Sequence, residues 1–280
     1  MTAMGMSLAG AARRGAAFAA RLAPGPRRAL ALLAFWFVIA IVGPLLAPHA
    51  PGEIVDRDVF AGFSARHWLG TDYLGRDLGS RLLWAVRYTV LICTLSTLLS
   101  CGFGIMLGIA ATAMSVWVER VLGRLMDGLL SIPSLLFALL VIAAAGESVP
   151  ALILTMGVIY MPGSYRTSRA LALRIAQADY VMAALARGEG RIFVILREIL
   201  PNMTGPLLSD IGLRFVYAVL LLSNLSFLGL GVQPPLVDLG SLVRENVLGM
   251  VYGAPAVVVP TIVLALLTVG LNFALDRQRP

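Results

Sequence analysis

Three groups of residues have the types and spacing to do work in an otherwise oily chain. The first is DYVMAALARGEGRIFVILREILP at residues 179–201, where Arg187, Gly188 and Gly190 interrupt an apolar, helix-forming run that closes on Leu200-Pro201. It is too charged to cross a bilayer and too apolar for a solvated loop. Ala, Met, Leu and Arg favour a helix from Gln177 to Arg187. The glycines then break it, as Gly does where the backbone turns left-handed at a helix C-terminus. A second helical piece is expected from Arg191 to Leu200, stopped by Pro201, which cannot continue the backbone bonding. The expected product is helix, turn, helix, with Val181, Ala184 and Leu185 on an apolar face. Such an element can grip a soluble partner or lie on lipid headgroups.

The second group is LGTDYLGRDLGSRLL at residues 69–83, carrying Gly70, Asp72, Gly75, Arg76, Asp77 and Arg81. Paired acids and arginines between glycine turns suit either internal packing or contact with another protein. The third is Asp210 and Arg214, four apart and so on one helix face, which can satisfy each other inside an apolar run. Asn224 lies deeper in the same run. These three could line a polar path or be paired internally. Asp127 is open to the same two readings.

Other chemistry is excluded by what is missing. No GxxxxGK[ST] phosphate loop occurs, and Gly229-Leu230-Gly231 has no strand before it, so the chain does not bind ATP by that device. No Ser-His-Asp set or carboxylate pair points to catalysis. His49 and His67 have no ligand-spaced partners, so no metal site is expected. Cys93 and Cys101 are eight apart on one run, about 12 Å of helical rise and too far for a disulfide.

The elements that must position these groups are membrane helices. Of 280 residues, 59% are hydrophobic and 13% charged, against roughly 25% charged in soluble domains. The excess falls into runs near 20 residues, the length that spans a hydrocarbon core. Six spans are expected, at about 29–47, 88–114, 125–145, 149–166, 206–230 and 253–275. None alternates with period two, which favours helices over a barrel. Pro162 and Gly163 mark the fourth as a candidate for a kink. The first run exceeds a signal-peptide core and lacks its cleavage site, so it reads as an uncleaved span. Gly104 and Gly108 form a small-xxx-small pair suited to close helix packing. There is no internal repeat.

The net charge is +7 and all 22 basic residues are arginine. Their placement answers to topology rather than nucleic acid. Fifteen fall on the segments that are inside if the N-terminus is inside, six on the outer segments, and Arg214 within a span. By the positive-inside rule both termini are cytoplasmic. The organisation is then a cytoplasmic segment 1–28, a six-helix domain 29–276 and a cytoplasmic tail 277–280. The domain includes an outer loop 48–87, a cytoplasmic loop 167–205 and an outer segment 231–252.

These motifs resemble one family. Met182, Ala183 and Ala184 stand where permeases of ATP-binding-cassette importers carry Glu-Ala-Ala, with Gly188 at the family's spacing and Leu200-Pro201-Asn202 at its end. Residues 69–83 resemble the outer-loop signature LGTDxxGRDxxSRLL of the second permease subunit of dipeptide, oligopeptide and nickel importers. RLMDGLLSIPSLL at 124–136 and LSFLGLGVQPP at 225–235 resemble that family's third and fifth helices. The resemblance covers about residues 30–276.

It implies an all-α membrane protein with the type I importer permease fold. The function implied is half of a path for di- or oligopeptides across the inner membrane. The implied partners are a homologous second permease, two ATPase subunits (a hetero- or homodimer), a substrate-binding protein outside, and membrane lipid. The chain itself would bind no cofactor, since ATP and Mg belong to the ATPase subunits. Residues 179–190 would be the coupling helix, docking on an ATPase through Met182, Ala183, Ala184, Arg187 and Gly188. The chain departs from the family at Met182 for Glu, Glu198 for His, Leu222 for Glu and Leu239 for Trp. Two rivals are the same machine importing nickel or a metal chelate, and a secondary transporter or channel working without an ATPase.

Overall fold

A computed structural model describes residues 24–276. Of the expected cytoplasmic segments 1–28 and 277–280, residues 1–23 and 277–280, with Arg13, Arg14, Arg21, Arg277 and Arg279, lie outside the described residues. Among the described residues the regular structure is helical, with two isolated β-bridges, Ile54 to Arg76 and Thr71 to Asp77. The helices are α1 (Pro24–Leu46), α2 (Leu78–Ala113), α3 (Val116–Ser131), α4 (Ser134–Ala145), α5 (Val149–Ala176), α6 (Asp179–Ala186), α7 (Arg191–Val194), α8 (Leu200–Phe227), α9 (Leu239–Glu245) and α10 (Pro255–Asp276).

By length and composition, three helical stretches can each cross a membrane: Leu78–Thr112, Arg191–Phe227 and Pro255–Phe273. The expected third span at 125–145 is not a straight helix. It is α3 followed by α4, bent by 88° at Ile132 and Pro133. Pro133 lacks an N–H and drives the residue before it out of the helical region, so the break falls there. The expected second span begins ten residues earlier than 88, because the Asp77 carboxylate caps α2 by accepting from the Ser80 N–H at 2.7 Å. Arg81 and Arg87 thus lie inside a helix that charge alone would have ended. The fourth runs on through Pro162 to Ala176.

The largest helix–helix interface joins α2 to α5. Gly104 and Gly108 make it close: a Cβ on Gly104 would lie 2.7 Å from the Met161 carbonyl, and one on Gly108 2.6 Å from that of Tyr165. Ser164, Ser168 and Tyr165 fill the facing side and are buried. α8 sits at the centre, packed by α1, α2, α4, α5, α9 and α10. Its Phe215, Val219, Leu222 and Leu225 join Val86, Val90 and Cys93 of α2 in the main core. Cys93 and Cys101 are both buried free thiols.

Candidate coupling element and path

The 179–201 stretch forms a helix, a turn and a second helix. Val181 and Ala184 of α6 are buried at 1% and 0% exposure, against Ala172 of α5, Val194 of α7 and Met203 of α8. Leu185 departs from the expected apolar face: it is exposed, as are Tyr180 and Met182. Two anchors three residues apart define the buried stripe, and Leu185 falls one helical step off it. Ala183 and Arg187 are exposed too.

The turn has a complete hydrogen-bonded cap. The Gly188 N–H donates to the Leu185 carbonyl at 2.9 Å and the Glu189 N–H to that of Ala184 at 3.2 Å. This pairing needs a left-handed residue at its centre, and Gly188 supplies it with φ of +84°. Gly190, at φ of −68°, starts α7.

The second piece does not stop at Pro201. α7 runs through a π turn, Ile195–Ile199, into α8. The Leu200 N–H reaches back five residues to the Ile195 carbonyl. That widened turn leaves Pro201 in the first turn of α8, where a missing N–H removes no bond. The second half of the stretch, α7, and the central helix α8 are therefore one continuous rod, with α6 joined to it by the Gly188 turn.

The loop expected outside holds a buried charge lattice. Asp72, Arg76 and Arg81 are 0%, 4% and 0% exposed. Asp72 Oδ2 accepts from Arg76 Nε at 2.7 Å and from an Arg81 guanidinium N–H at 2.5 Å. The same two arginines reach Glu245 Oε2 on α9, at 3.1 and 3.0 Å. Asp72 Oδ1 accepts from the N–H groups of Leu74 and Arg76. Gly70 and Gly75 take positive φ, and a Cβ on either would lie 2.2 Å from a carbonyl oxygen, Ala61 or Asp56. Asp77 also holds His67 at 3.1 Å. Burial works to raise its carboxyl, but hydrogen bonds from Ser80 and His67 outweigh that and keep it below its ordinary value. Of the two readings of this signature, its geometry fits internal packing: the acids and arginines pair with one another, leaving Arg81 Nε and Glu245 Oε1 unpartnered, and tie the loop to α9.

Sequence reasoning missed two members of this region. Glu245 closes the lattice from a distant part of the chain, and nothing local to it signals that. Asp238 is fully buried and accepts from Ser226 Oγ at 2.8 Å and from the N–H groups of Val232, Gly240 and Ser241. Burial nonetheless pushes its carboxyl up. The signal was present as an Asp three residues before Ser241, a capping box.

Of the candidate path residues, Asp210 and Arg214 pair with each other, Nε to Oδ2 at 2.8 Å and a second N–H to Oδ1 at 3.0 Å. Arg214 is 8% exposed, and its guanidinium also donates to the Tyr160 carbonyl at 3.3 Å. Asn224 is exposed on α8. Asp127 pairs with Arg166 of α5 at 2.5 Å, and Glu119 with Arg169 at 2.9 Å, joining α3 to α5.

Packed apolar helices of membrane length with paired intramembrane charges define an integral membrane protein. Residues 102–280 match the family described as binding-protein-dependent transport system inner membrane component, and the chain belongs to that family. It is 32% identical to the dipeptide transport system permease protein DppC of Haemophilus influenzae, over 86% of this chain and 86% of that one. It is 34% identical to the di/tripeptide transport system permease protein DppC of Pseudomonas aeruginosa, over 74% and 70%. A chain of the MetNI methionine ABC transporter, inward-facing, shares the fold at TM-score 0.59 and 18% identity, over 70% of this chain and 93% of that one.

Proposed function

We propose that this chain is the permease subunit of an ATP-driven importer of di- or oligopeptides. It would form half the path across the inner membrane, with six spans and both termini cytoplasmic. Its expected partners are a homologous second permease, two ATPase subunits that hold the ATP and Mg, and an outer substrate-binding protein. Family membership and the peptide permeases among its relatives support the substrate class.

The observation that carries the reading is the α6–α7 element. It is anchored by Val181 and Ala184, fixed by the Gly188 cap and continuous with α8. It leaves Tyr180, Met182, Leu185, Ile192, Phe193 and Leu196 exposed. A rigid, apolar-faced element joined to a central membrane helix can transmit a displacement imposed by a docked ATPase. Met182 takes an apolar role where relatives of this kind carry Glu. Headgroup binding alone would not call for the rigid link to α8.

The test is reconstitution. With its cognate second permease and ATPases in proteoliposomes, and binding protein outside, the chain is expected to accumulate dipeptide only when ATP is present. Uptake by the chain alone, without an ATPase, would establish a secondary transporter or channel instead. Uptake of nickel chelate in place of peptide would move the assignment to the metal branch.

Topology has its own check. Ala65 is exposed in the outer loop and makes no side-chain hydrogen bond, unlike Ser64, whose Oγ accepts from the His67 N–H. Ala65→Cys in whole cells is expected to react with an impermeant thiol reagent from outside. Reaction only in inverted vesicles would reverse the orientation drawn from the arginines.

A further inference from the structure

We propose that the α8 stripe of Tyr217, Leu220, Asn224 and Phe227, joined through Tyr160 to the break between α3 and α4, lines the substrate path. It offers a peptide an uncharged aromatic and amide surface. This rests on the importer reading and goes on to name the residues that meet the substrate.

Two independent observations point to the same surface. The first is the stripe. α8 is enclosed by six other helices, yet these four residues, spaced three, four and three apart, remain exposed on one face. Asn224 is the odd member. Its side-chain amide has no partner within the described chain, and a bare amide in hydrocarbon is costly. A face meant for lipid has no use for it.

The second is the break. Non-helical backbone at membrane depth is tolerated only where it is buried in protein or lines water. Beside Ile132 and Pro133 lies a cavity of about 270 Å³ walled by Leu130, Phe137 and Tyr160. Tyr160 links the two features: its ring stacks on Tyr217 at 6.3 Å and its hydroxyl donates to the Tyr217 carbonyl at 2.8 Å. Tyr160 thus lies both on the cavity wall and against the stripe.

The nearest charge is paired rather than bare: the Arg214 guanidinium donates to the Tyr160 carbonyl at 3.3 Å and is matched by the Asp210 carboxylate. One turn before Tyr217, Arg214 is held by Asp210 and lies against Gly163, where a Cβ would sit 2.5 Å from the guanidinium. Aromatic faces and one amide accept a peptide backbone with any side chain, whereas a fixed charge would sort peptides by their own. This half of the path therefore passes peptides without regard to side-chain charge.

The experiment uses the complete importer complex. Cys93 and Cys101 are buried and give little background. Asn224→Cys and Tyr217→Cys are expected to react with a charged, impermeant thiosulfonate about tenfold or more faster than Val269→Cys, since a thiol in hydrocarbon does not ionise. Val269 is 65% exposed on α10. If both are as inert as Val269→Cys, the stripe faces lipid or the second permease and the proposal is wrong. Labelling is read on the assembled complex whether or not it imports. A labelled stripe in a complex that never imports peptide would sink the importer reading while leaving the stripe water-exposed. In the importing complex, Asn224→Asp is expected to raise the uptake ratio of cationic to anionic dipeptide several-fold, and an unchanged ratio would overturn the charge-neutral surface.

Discussion

Gly188→Val is expected to cut ATP-driven import about tenfold or more, while leaving the chain inserted, assembled and as abundant as the parent. A left-handed β-branched residue is a conformational outlier, costing roughly 1–2 kcal/mol, and 1.4 kcal/mol is a factor of ten in population. The effect should come through the backbone, because a Cβ on Gly188 would meet nothing within 4 Å. A graded series separates this from bulk. Gly188→Asn, which tolerates the left-handed region, should keep most import, and Gly188→Ala should fall between. Gly190→Ser is the control, since Gly190 has ordinary φ and starts a helix, where Ser is favoured. The readouts are peptide uptake and substrate-stimulated ATP hydrolysis by the assembled complex. Parental rates in Gly188→Val would show that α6 and its turn are not the coupling element.

The second large effect is structural. Arg81→Met should destabilise the chain by about 3–5 kcal/mol, the usual result of removing one partner from a buried ionic set. Two arginines face two carboxylates in the lattice, and Arg81, 0% exposed, bridges Asp72 and Glu245. Its loss leaves more buried negative charge than Arg76 can meet. Thermal unfolding in detergent should fall well below the parent. Arg81→Lys should fall between, because an ammonium is a point donor that cannot span both acids as a planar guanidinium does. Arg81→Met with Glu245→Gln should recover part of the loss by removing the stranded charge. Arg187→Ala, at an exposed site, should be nearly silent. A parental melting profile for Arg81→Met would mean the lattice does not hold the loop.

Several features were legible in the residues alone. Chain segments free of charge over membrane length must be helices in lipid, because no other local structure satisfies every backbone group. Gly104 and Gly108 announced a close crossing, and Gly188 announced a left-handed turn, because the missing Cβ acts where it stands. The Asp210 and Arg214 pair followed from the 3.6-residue period. Helix ends were less legible. Charge suggested that α2 begins near 88, but a buried arginine satisfied by a distant acid can sit within a helix. Pro201 suggested a stop, but a π turn just before it lets the helix pass.

Local rules determined this protein's class, its helices, its turn at Gly188 and its family likeness. Tertiary structure alone decided that Glu245 completes the charge lattice, and that Tyr160 stacks on Tyr217 on the same helix as an exposed Asn224. The physical reason is sequence separation. Caps, glycine turns and helical periodicity act within a few residues. Which acid neutralises Arg81, and which face of α8 stays uncovered, depends on how helices far apart in the chain pack together.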